Sequence, residues 1–169
     1  TEEYEADESF VWAPSPVIYD DLRQGECYDA NREIDGWNLP GFDDSAWTPA
    51  VKAECPRGKS VVCAANPIRE WTRLSPISIK PEQKLTYAHC EQVDEGYLFD
   101  FGTNYAGIPL LRVKGEKGQK ISMIFGEYID NDGNFKVDNI RFVRPEYFNL
   151  PLYIQRDEYT CKGEGVEEW

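Results

Sequence analysis

Apolar and polar residues alternate in short runs along much of this chain. Ile121, Met123 and Phe125 recur at a period of two, and Ile77 and Ile79 do the same. Alternation of this kind is typical of a β-strand with one buried face. No segment sustains the 3.6-residue period of an amphipathic helix. The pattern therefore predicts an all-β chain.

Strands are predicted wherever an apolar run is bounded by Gly, Pro, Asp or Asn. A first, edge-type strand stops before Pro14 and Pro16, because proline cannot donate to a sheet ladder. The predicted strands cover residues 10–12, 60–64, 74–80, 84–90, 97–101, 108–114, 119–125 and 152–161. Many short strands at regular spacing favour a jelly-roll-like antiparallel β-sandwich.

The segments between these strands are interpreted as turns and loops. Residues 115–118 and 130–133 are rich in Gly and Asp and predict turns, the first as a hairpin loop. Residues 25–32 are mostly polar, and no strand is predicted for them. Residues 43–47 predict one helical turn, with Asp43 as its N-cap.

The length of 169 residues suits about one domain. Residues 1–16 begin with an acidic stretch and are predicted to be a lead-in or linker, and residues 17–169 to form the β-sandwich domain. The chain starts at Thr1, its only methionine is Met123, and it has no signal segment. We therefore expect it to be a piece of a longer protein.

Charge and composition exclude several classes of function. The 31 acidic and 18 basic residues give a net charge of −13, which argues against binding to nucleic acids or anionic membranes. No apolar run approaches the roughly 20 residues of a membrane span. A single histidine, His89, argues against histidine-rich metal sites and Ser-His-Asp catalysis.

The five cysteines form no Cys-x-x-Cys pair, so neither a zinc ribbon nor a redox motif is predicted. Scattered reduced or buried cysteines are the preferred interpretation. One disulfide between Cys55 and Cys63 is the alternative if the chain is exported.

An acidic turn at residues 130–134 resembles part of a calcium loop, yet the EF-hand template does not fit. With Gly133 as the template glycine, the first and last ligand positions fall on Tyr128 and Asn139, and neither is a carboxylate. A solvated hairpin turn is the preferred interpretation. Among 31 acidic residues, spacing singles out no catalytic carboxylate pair of the glycosidase type.

Several polar and aromatic side chains have the chemistry to bind a sugar. Residues 25–32 hold four that can bind hydroxyls or a cation, with a solvated loop as the alternative. Trp37 lies in a Gly/Pro-rich loop and either stacks on a sugar ring or fills the core, whereas Trp47 is expected to face the core. Asn104 and Glu127 either reach the same site or stabilise turns.

Four motifs in order resemble the non-catalytic β-sandwich region of bacterial α-L-rhamnosidases, over roughly residues 17–169. They are GECYDANR at 25–32, GW…PGFDDSAW at 36–47, FDFGTNYAG at 99–107 and GE…DG at 126–133. Thr103 stands where a glutamine is more usual. The family pattern continues past Trp169, where an aromatic-rich closing strand is expected next.

The resemblance implies a non-catalytic accessory domain of a secreted or periplasmic glycoside hydrolase. Enzymes of this family remove terminal L-rhamnose by inversion, and their catalytic carboxylates lie in an (α/α)₆ barrel. The implied partners are an L-rhamnose-containing glycan and the catalytic barrel of the same parent chain. One β-sandwich of the family can hold L-rhamnose together with calcium, so calcium is the one cofactor the resemblance suggests.

The predicted sugar-binding residues are Asp29, Asn31, Arg32, Trp37, Asn104 and Glu127, and the predicted metal ligands are Glu26, Asp29 and Asn31. All match the family's motifs except Asn31, which stands where a basic residue is more usual and is included because its side chain has the chemistry of a ligand. The alternative is a structural spacer that docks on the barrel and binds no sugar. Asp29 and Asn104 should converge at an open pocket in the first case and be internally hydrogen-bonded in the second.

Overall fold

The computed structural model describes residues 7–22, 25–54, 57–59, 61–82, 96–137 and 155–169. These residues form twelve β-strands and one 3₁₀ turn, so the all-β prediction is confirmed. All strand pairs in the described ranges are antiparallel except one, the pair β3–β11.

The strands follow one another along the chain with these bounds: β1 Val11–Trp12, β2 Val17–Asp21, β3 Gly25–Asp29, β4 Thr48–Pro49, β5 Ser78–Glu82, β6 Gly96–Asp100, β7 Arg112–Val113, β8 Lys120–Ile124, β9 Tyr128–Ile129, β10 Phe135–Lys136, β11 Arg156–Thr160 and β12 Glu167–Glu168. The 3₁₀ turn, Ala30–Arg32, follows β3 directly.

The chain divides into two compact units that interleave along the sequence. The first comprises Thr1–Ser15 and Arg32–Thr72, and the second comprises Pro16–Asn31 and Arg73–Trp169. The predicted boundary between a lead-in at 1–16 and a domain at 17–169 stays a prediction.

The first unit is built around the short antiparallel pair β1–β4, which confirms the predicted edge strand. Trp47 is half-buried and packs on Phe42 with ring centroids 5.6 Å apart, as expected for a core tryptophan. Residues 43–47 form a single turn and no helix, since Trp47 donates its backbone N–H to the Asp44 carbonyl at 2.9 Å. Asp43 caps this turn as predicted, because its Oδ1 accepts the Ser45 N–H at 3.1 Å.

The second unit contains a four-stranded sheet in the order β2-β3-β11-β8. Strand β3 pairs antiparallel with β2 and parallel with β11, where Tyr28 lies opposite Tyr159. The sequence analysis predicts no strand at 25–32, and its alternative of a solvated loop is wrong, since most of this segment is a strand with neighbours on both sides. Because the segment is mostly polar, the sequence did not indicate that Tyr28 packs against the core.

Three aromatic rings pack on one face of this sheet. The rings of Tyr28 and Tyr159 are 5.9 Å apart, and Trp169 lies 5.8 Å from Tyr28 and 5.3 Å from Tyr159. Tyr159 is buried together with Ala30 and Cys161, and partly buried aliphatic side chains pack against them: Leu111, Val113 and Ile121. Aromatic burial of this kind contributes strongly to stability because each ring removes a large apolar area from water.

The remaining pairs are two-stranded: β5–β6, β9–β10 and β7–β12. The turn at 130–133 joins β9 to β10, as predicted, and Gly133 donates its N–H to the Asp130 carbonyl at 2.9 Å. The hairpin predicted at 115–118 is wrong, because β7 pairs with β12 instead of β8.

Two strand predictions differ further from the structure. Residues 61–64 form no strand, and Val62 is 94% exposed, so the apolar run there is not a core strand. The predicted strand 108–114 shrinks to β7. The predicted strand 84–90 lies outside the described residues.

Substitution of Gly115 by alanine should destabilise the chain. A Cβ at this position would lie 2.5 Å from the Sγ of the fully buried Cys161, so the core would have to shift. We expect a loss of about 1–3 kcal/mol in the free energy of unfolding, measured by denaturant titration. Cys161→Ala should recover part of it by making room.

Gly107 supplies the matched control, since a Cβ there would meet nothing within 4 Å. Gly107→Ala should stay within about 0.5 kcal/mol of the parent chain. Equal effects of the two alanine substitutions would contradict the packing of Gly115 on Cys161.

Candidate functional site

Asp29 and Asn31 meet at the end of β3. Asn31 donates its backbone N–H to Asp29 Oδ1 at 3.0 Å and its Nδ2 to the same oxygen at 2.9 Å. Its Nδ2 also donates to the Cys161 carbonyl at 3.1 Å. Both Nδ2 hydrogens of Asn31 are therefore used by the protein, and only its Oδ1 remains to contact a sugar hydroxyl or a cation.

This small network ties the end of β3 to the residue that follows β11. Asp29 lies at the last paired position of β3, opposite Thr160, and Cys161 comes next in the chain. Asn31 sits in the 3₁₀ turn, where its side chain can turn back toward both partners. These hydrogen bonds, called the Asn31 clamp below, hold the end of β3 beside the end of β11.

Arg32 and Trp37 belong to the first compact unit, whereas the other predicted site residues belong to the second. Trp37 is 61% exposed and its backbone N–H donates to the Ile34 carbonyl at 3.4 Å. Arg32 is also exposed. Each side chain is available to solvent on its own unit.

Asn104 and Glu127 lie in separate connections of the second unit. Asn104 is exposed in the segment after β6, and Glu127 is exposed between β8 and β9. Within the described ranges, the recorded hydrogen bonds and ion pairs of Asp29 and Asn31 do not include either residue. Among the predicted sugar-binding residues of the second unit, hydrogen bonds thus join Asp29 to Asn31.

Glu26 points away from this pair. Alternation along β3 puts Glu26 on the face of Tyr28 and Asp29 on the opposite face. The Glu26 N–H donates to Asp157 Oδ1 at 2.9 Å. Partial burial, together with the nearby charges of Asp20 and Asp157, raises the pKa of Glu26, and a hydrogen bond with the Trp169 side chain opposes the rise.

This separation bears on the calcium hypothesis. Calcium takes six to eight oxygen ligands, so a site needs several of them on one side. The residues that the structure describes contain no group of three or more His, Cys, Asp or Glu side chains arranged to hold a metal ion. A calcium site at Asp29 and Asn31 stays a prediction, with Glu26 on the other face of the sheet.

Asp130 organises the acidic turn between β9 and β10. Its carboxylate accepts the Asn134 N–H at 2.8 Å, the Asn134 Nδ2 at 3.1 Å and the Asp132 N–H at 3.1 Å. The backbone and side-chain hydrogen bonds of Asn134 lower the pKa of Asp130 to about 2, helped by Lys136 at 3.3 Å. These bonds are internal to the turn, in agreement with the prediction of a hairpin.

Glu167 is a structural anchor that the sequence interpretation missed. Its carboxylate accepts the Tyr159 hydroxyl at 2.8 Å and the backbone N–H groups of Lys162 and Gly163 at 2.7 and 2.9 Å. Burial raises the pKa of Glu167, but these hydrogen bonds outweigh that effect and the pKa is lowered overall. The signal available in the sequence was the Gly163/Gly165 pair, which marks a tight turn directly before this glutamate.

The cysteines of the described ranges, Cys27, Cys63 and Cys161, are free thiols. Cys55, the partner considered for Cys63, lies outside the described residues. No helix in the described part of the chain is long and apolar enough to cross a membrane.

Two family models match the chain. Residues 1–72 match the α-L-rhamnosidase N-terminal domain, and residues 90–169 match the bacterial α-L-rhamnosidase concanavalin-like domain. The concanavalin-like domain is a β-sandwich, in agreement with the predicted fold class.

Individual relatives give the same result. An α-L-rhamnosidase of Streptomyces avermitilis is 31% identical over 158 residues, which is 93% of this chain and 13% of that protein. An α-L-rhamnosidase of an Alteromonas species is 29% identical over 146 residues, 86% of this chain and 15% of that protein.

Solved structures are also similar. The α-L-rhamnosidase of Dictyoglumus thermophilum has a TM-score of 0.75 and 33% identity, covering 97% of this chain and 16% of that chain. The S. avermitilis α-L-rhamnosidase complexed with L-rhamnose has a TM-score of 0.67 and 26% identity, covering 97% of this chain and 14% of that chain.

The fold and these matches define a β-rich accessory region of a glycoside hydrolase. The chain belongs to the bacterial α-L-rhamnosidase family, as the resemblance of its motifs predicts. It spans about one seventh of the length of the relatives that it matches.

Replacing Glu26 by glutamine should stabilise the chain at neutral pH. The folded state favours the protonated form of Glu26, because burial and the charges of Asp20 and Asp157 raise its pKa. Its ionisation therefore lowers stability above the raised pKa. We expect the gain from Glu26→Gln to shrink as pH falls through the raised pKa, and to vanish below the ordinary glutamate value.

The measurement is the thermal midpoint of both chains across this pH range. Glu168→Gln is the matched control, since it removes the same charge from an exposed strand position. A gain that is equal in the two variants would show only the effect of net charge and would contradict the local account of Glu26.

Proposed function

We propose that this chain is a non-catalytic structural region of an α-L-rhamnosidase, which positions the remainder of the same polypeptide. The proposal rests on one observation: the Asn31 side-chain amide donates hydrogen bonds to Asp29 and to the Cys161 carbonyl. Side chains committed to protein hydrogen bonds are poorly suited to binding a small, weakly held sugar, because they would first have to release those partners. The motif at 25–32 then serves the fold.

The non-catalytic role is supported by length and by chemistry. The relatives are about seven times longer than the matched region, which leaves ample chain for a separate catalytic domain. The resemblance assigns the catalytic carboxylates to a barrel, and none of the predicted site residues was assigned to catalysis. Docking on that barrel, in a secreted or periplasmic enzyme, is the context we propose.

Recognition of L-rhamnose is the second candidate function. Trp37 exposes most of its indole, which offers a flat apolar face for a sugar ring, and exposed Arg32 offers hydrogen-bond donors. The similar S. avermitilis enzyme was solved in complex with L-rhamnose. A separate calcium site at the oxygens of Asp29 and Asn31, within the second unit, stays a prediction.

Titration of the chain with L-rhamnose, followed by two-dimensional NMR, separates these candidates. We expect the amide signals of Asp29 and Asn31 to stay unshifted at tens of millimolar L-rhamnose. This concentration is well above the dissociation constant of roughly 0.1–1 mM expected for a functional single-sugar site. D-Glucose is the matched control sugar. Saturable shifts at Asp29 and Asn31 that disappear on chelation would contradict the structural proposal and support calcium-assisted binding.

Saturable, rhamnose-specific shifts confined to Arg32 and Trp37 would support the second candidate without calcium. Two variants test the structural role directly. Asn31→Ala should lower the free energy of unfolding by about 1–2 kcal/mol, because it removes the side-chain hydrogen bonds to Asp29 and to the Cys161 carbonyl, which keeps only its bond from the Gly118 N–H. Asn104→Ala, at an exposed position, should change it by less than about 0.5 kcal/mol. Equal effects of the two substitutions would remove the basis of the proposal.

A further inference from the structure

The β5–β6 hairpin of the second unit has an exposed face made of large apolar side chains. We call this the apolar ladder: Ile77, Ile79, Tyr97, Phe99 and Phe101. In the strand register Ile79 lies directly opposite Phe99, and Ile77 and Phe101 continue the same alternation beyond the strand ends. The five residues are between 44% and 72% exposed.

The opposite face of the same hairpin is more protected. Leu98 and Asp100 are half-buried, whereas their neighbours Tyr97 and Phe99 are exposed. Alternate residues of a strand point to opposite faces, so the ladder lies on the more exposed face of β6. An apolar face in this position is typical of an interaction surface.

Size and charge indicate what kind of partner fits the ladder. Five side chains of this type present on the order of 500 Å², less than the roughly 800 Å² that each partner buries in a stable intermolecular interface. A second copy of the chain would also bring a net charge of −13 against its own. A partner in the same polypeptide needs less area, because the connection raises its effective concentration to the millimolar range.

The chemistry of the ladder favours protein over sugar. The Tyr97 hydroxyl is its one side-chain hydrogen-bonding group, and two of its five members are isoleucines, which lack a flat ring face. Sugar sites combine an aromatic face with carboxylates or carboxamides that bind the hydroxyls. An apolar, partly aromatic protein surface is the better complement.

We propose that the apolar ladder is the surface through which this region docks on an apolar patch of the same, longer polypeptide. The inference rests on the proposed function, since it names the face used for docking. It is also supported by the relatives, in which 84% or more of the chain lies outside the matched part. Docking would remove the ladder from water and fix the hairpin against its partner.

Hydroxyl-radical footprinting with mass spectrometry tests this directly, because it reports the solvent access of individual side chains. The 169-residue chain and the full-length polypeptide that contains it are labelled under the same conditions. Tyr97, Phe99 and Phe101 should be labelled strongly in the short chain and about fivefold less in the long one. Tyr159, which is buried, should stay weakly labelled in both and serves as the internal reference.

A substitution in the full-length polypeptide gives the second measurement. Phe99→Lys should restore labelling of Tyr97 and Phe101, because a charge at the centre of the ladder opposes docking. Lys80→Glu, on the opposite face of the same hairpin, is the matched control and should leave the protection unchanged.

Three outcomes would overturn the proposal. Equal labelling of the ladder in the two chains would show that no segment covers it. Protection in the short chain, together with a dimer in sedimentation, would assign the face to a second copy. Ladder labelling that falls only when an L-rhamnose oligosaccharide is added would assign it to a glycan.

The proposed function is judged separately, from the rhamnosidase activity of the long polypeptide. An active long polypeptide with an unprotected ladder contradicts only this inference. Absence of rhamnosidase activity in the long polypeptide contradicts the proposed function itself.

Discussion

The second unit depends on the parallel pairing of β3 with β11. The two strands are far apart in sequence: the bond from the Glu26 N–H to Asp157 joins residues 131 positions apart. Closing so long a loop lowers chain entropy before any contact forms in return. The pairing is stabilised by the stacked Tyr28, Tyr159 and Trp169 rings on one face and by the Asn31 clamp at its end.

This constraint supports the proposal that the polar motif of β3 has a structural role. Asp29 and Asn31 lie where the two paired strands end, so their hydrogen bonds stabilise the end of the β3–β11 pair and the Cys161 backbone beside it. Glu26, on the other face, lies beside the aromatic rings and two further carboxylates, which is unfavourable for its charge. Trp37 and the apolar ladder are exposed, and these are the surfaces that we propose for binding.

Period-two alternation predicted β8 because Ile121 and Met123 share a partly buried face. It also predicted β6, although the alternating aromatic residues Tyr97 and Phe99 lie on the exposed face of that strand. The strand β3 escaped recognition because its residues are mostly polar and its single inward ring depends on a partner 131 residues away. The apolar run at 61–64 led to the prediction of a strand that the structure does not contain, because its apolar side chains remain exposed.

The predicted sugar site stays a prediction, although the structure joins two of its residues, Asp29 and Asn31, by a hydrogen bond. Motif spacing brought Asp29 and Asn31 together because they are neighbours in the chain. It could not place Asn104 or Glu127, whose positions depend on which loops meet in space. Glu26 and Asp29 looked like joint ligands in sequence, yet strand alternation separates them.

Native-state hydrogen exchange of the 169-residue chain tests the central claim most directly. If the parallel pairing holds the second unit together, the paired amides of β3 and β11 exchange at the same slow rate, through global unfolding. Tyr28 and Tyr159 are the positions to compare, since they lie opposite each other. Fast exchange in β3 while β11 and β8 stay protected would contradict the account.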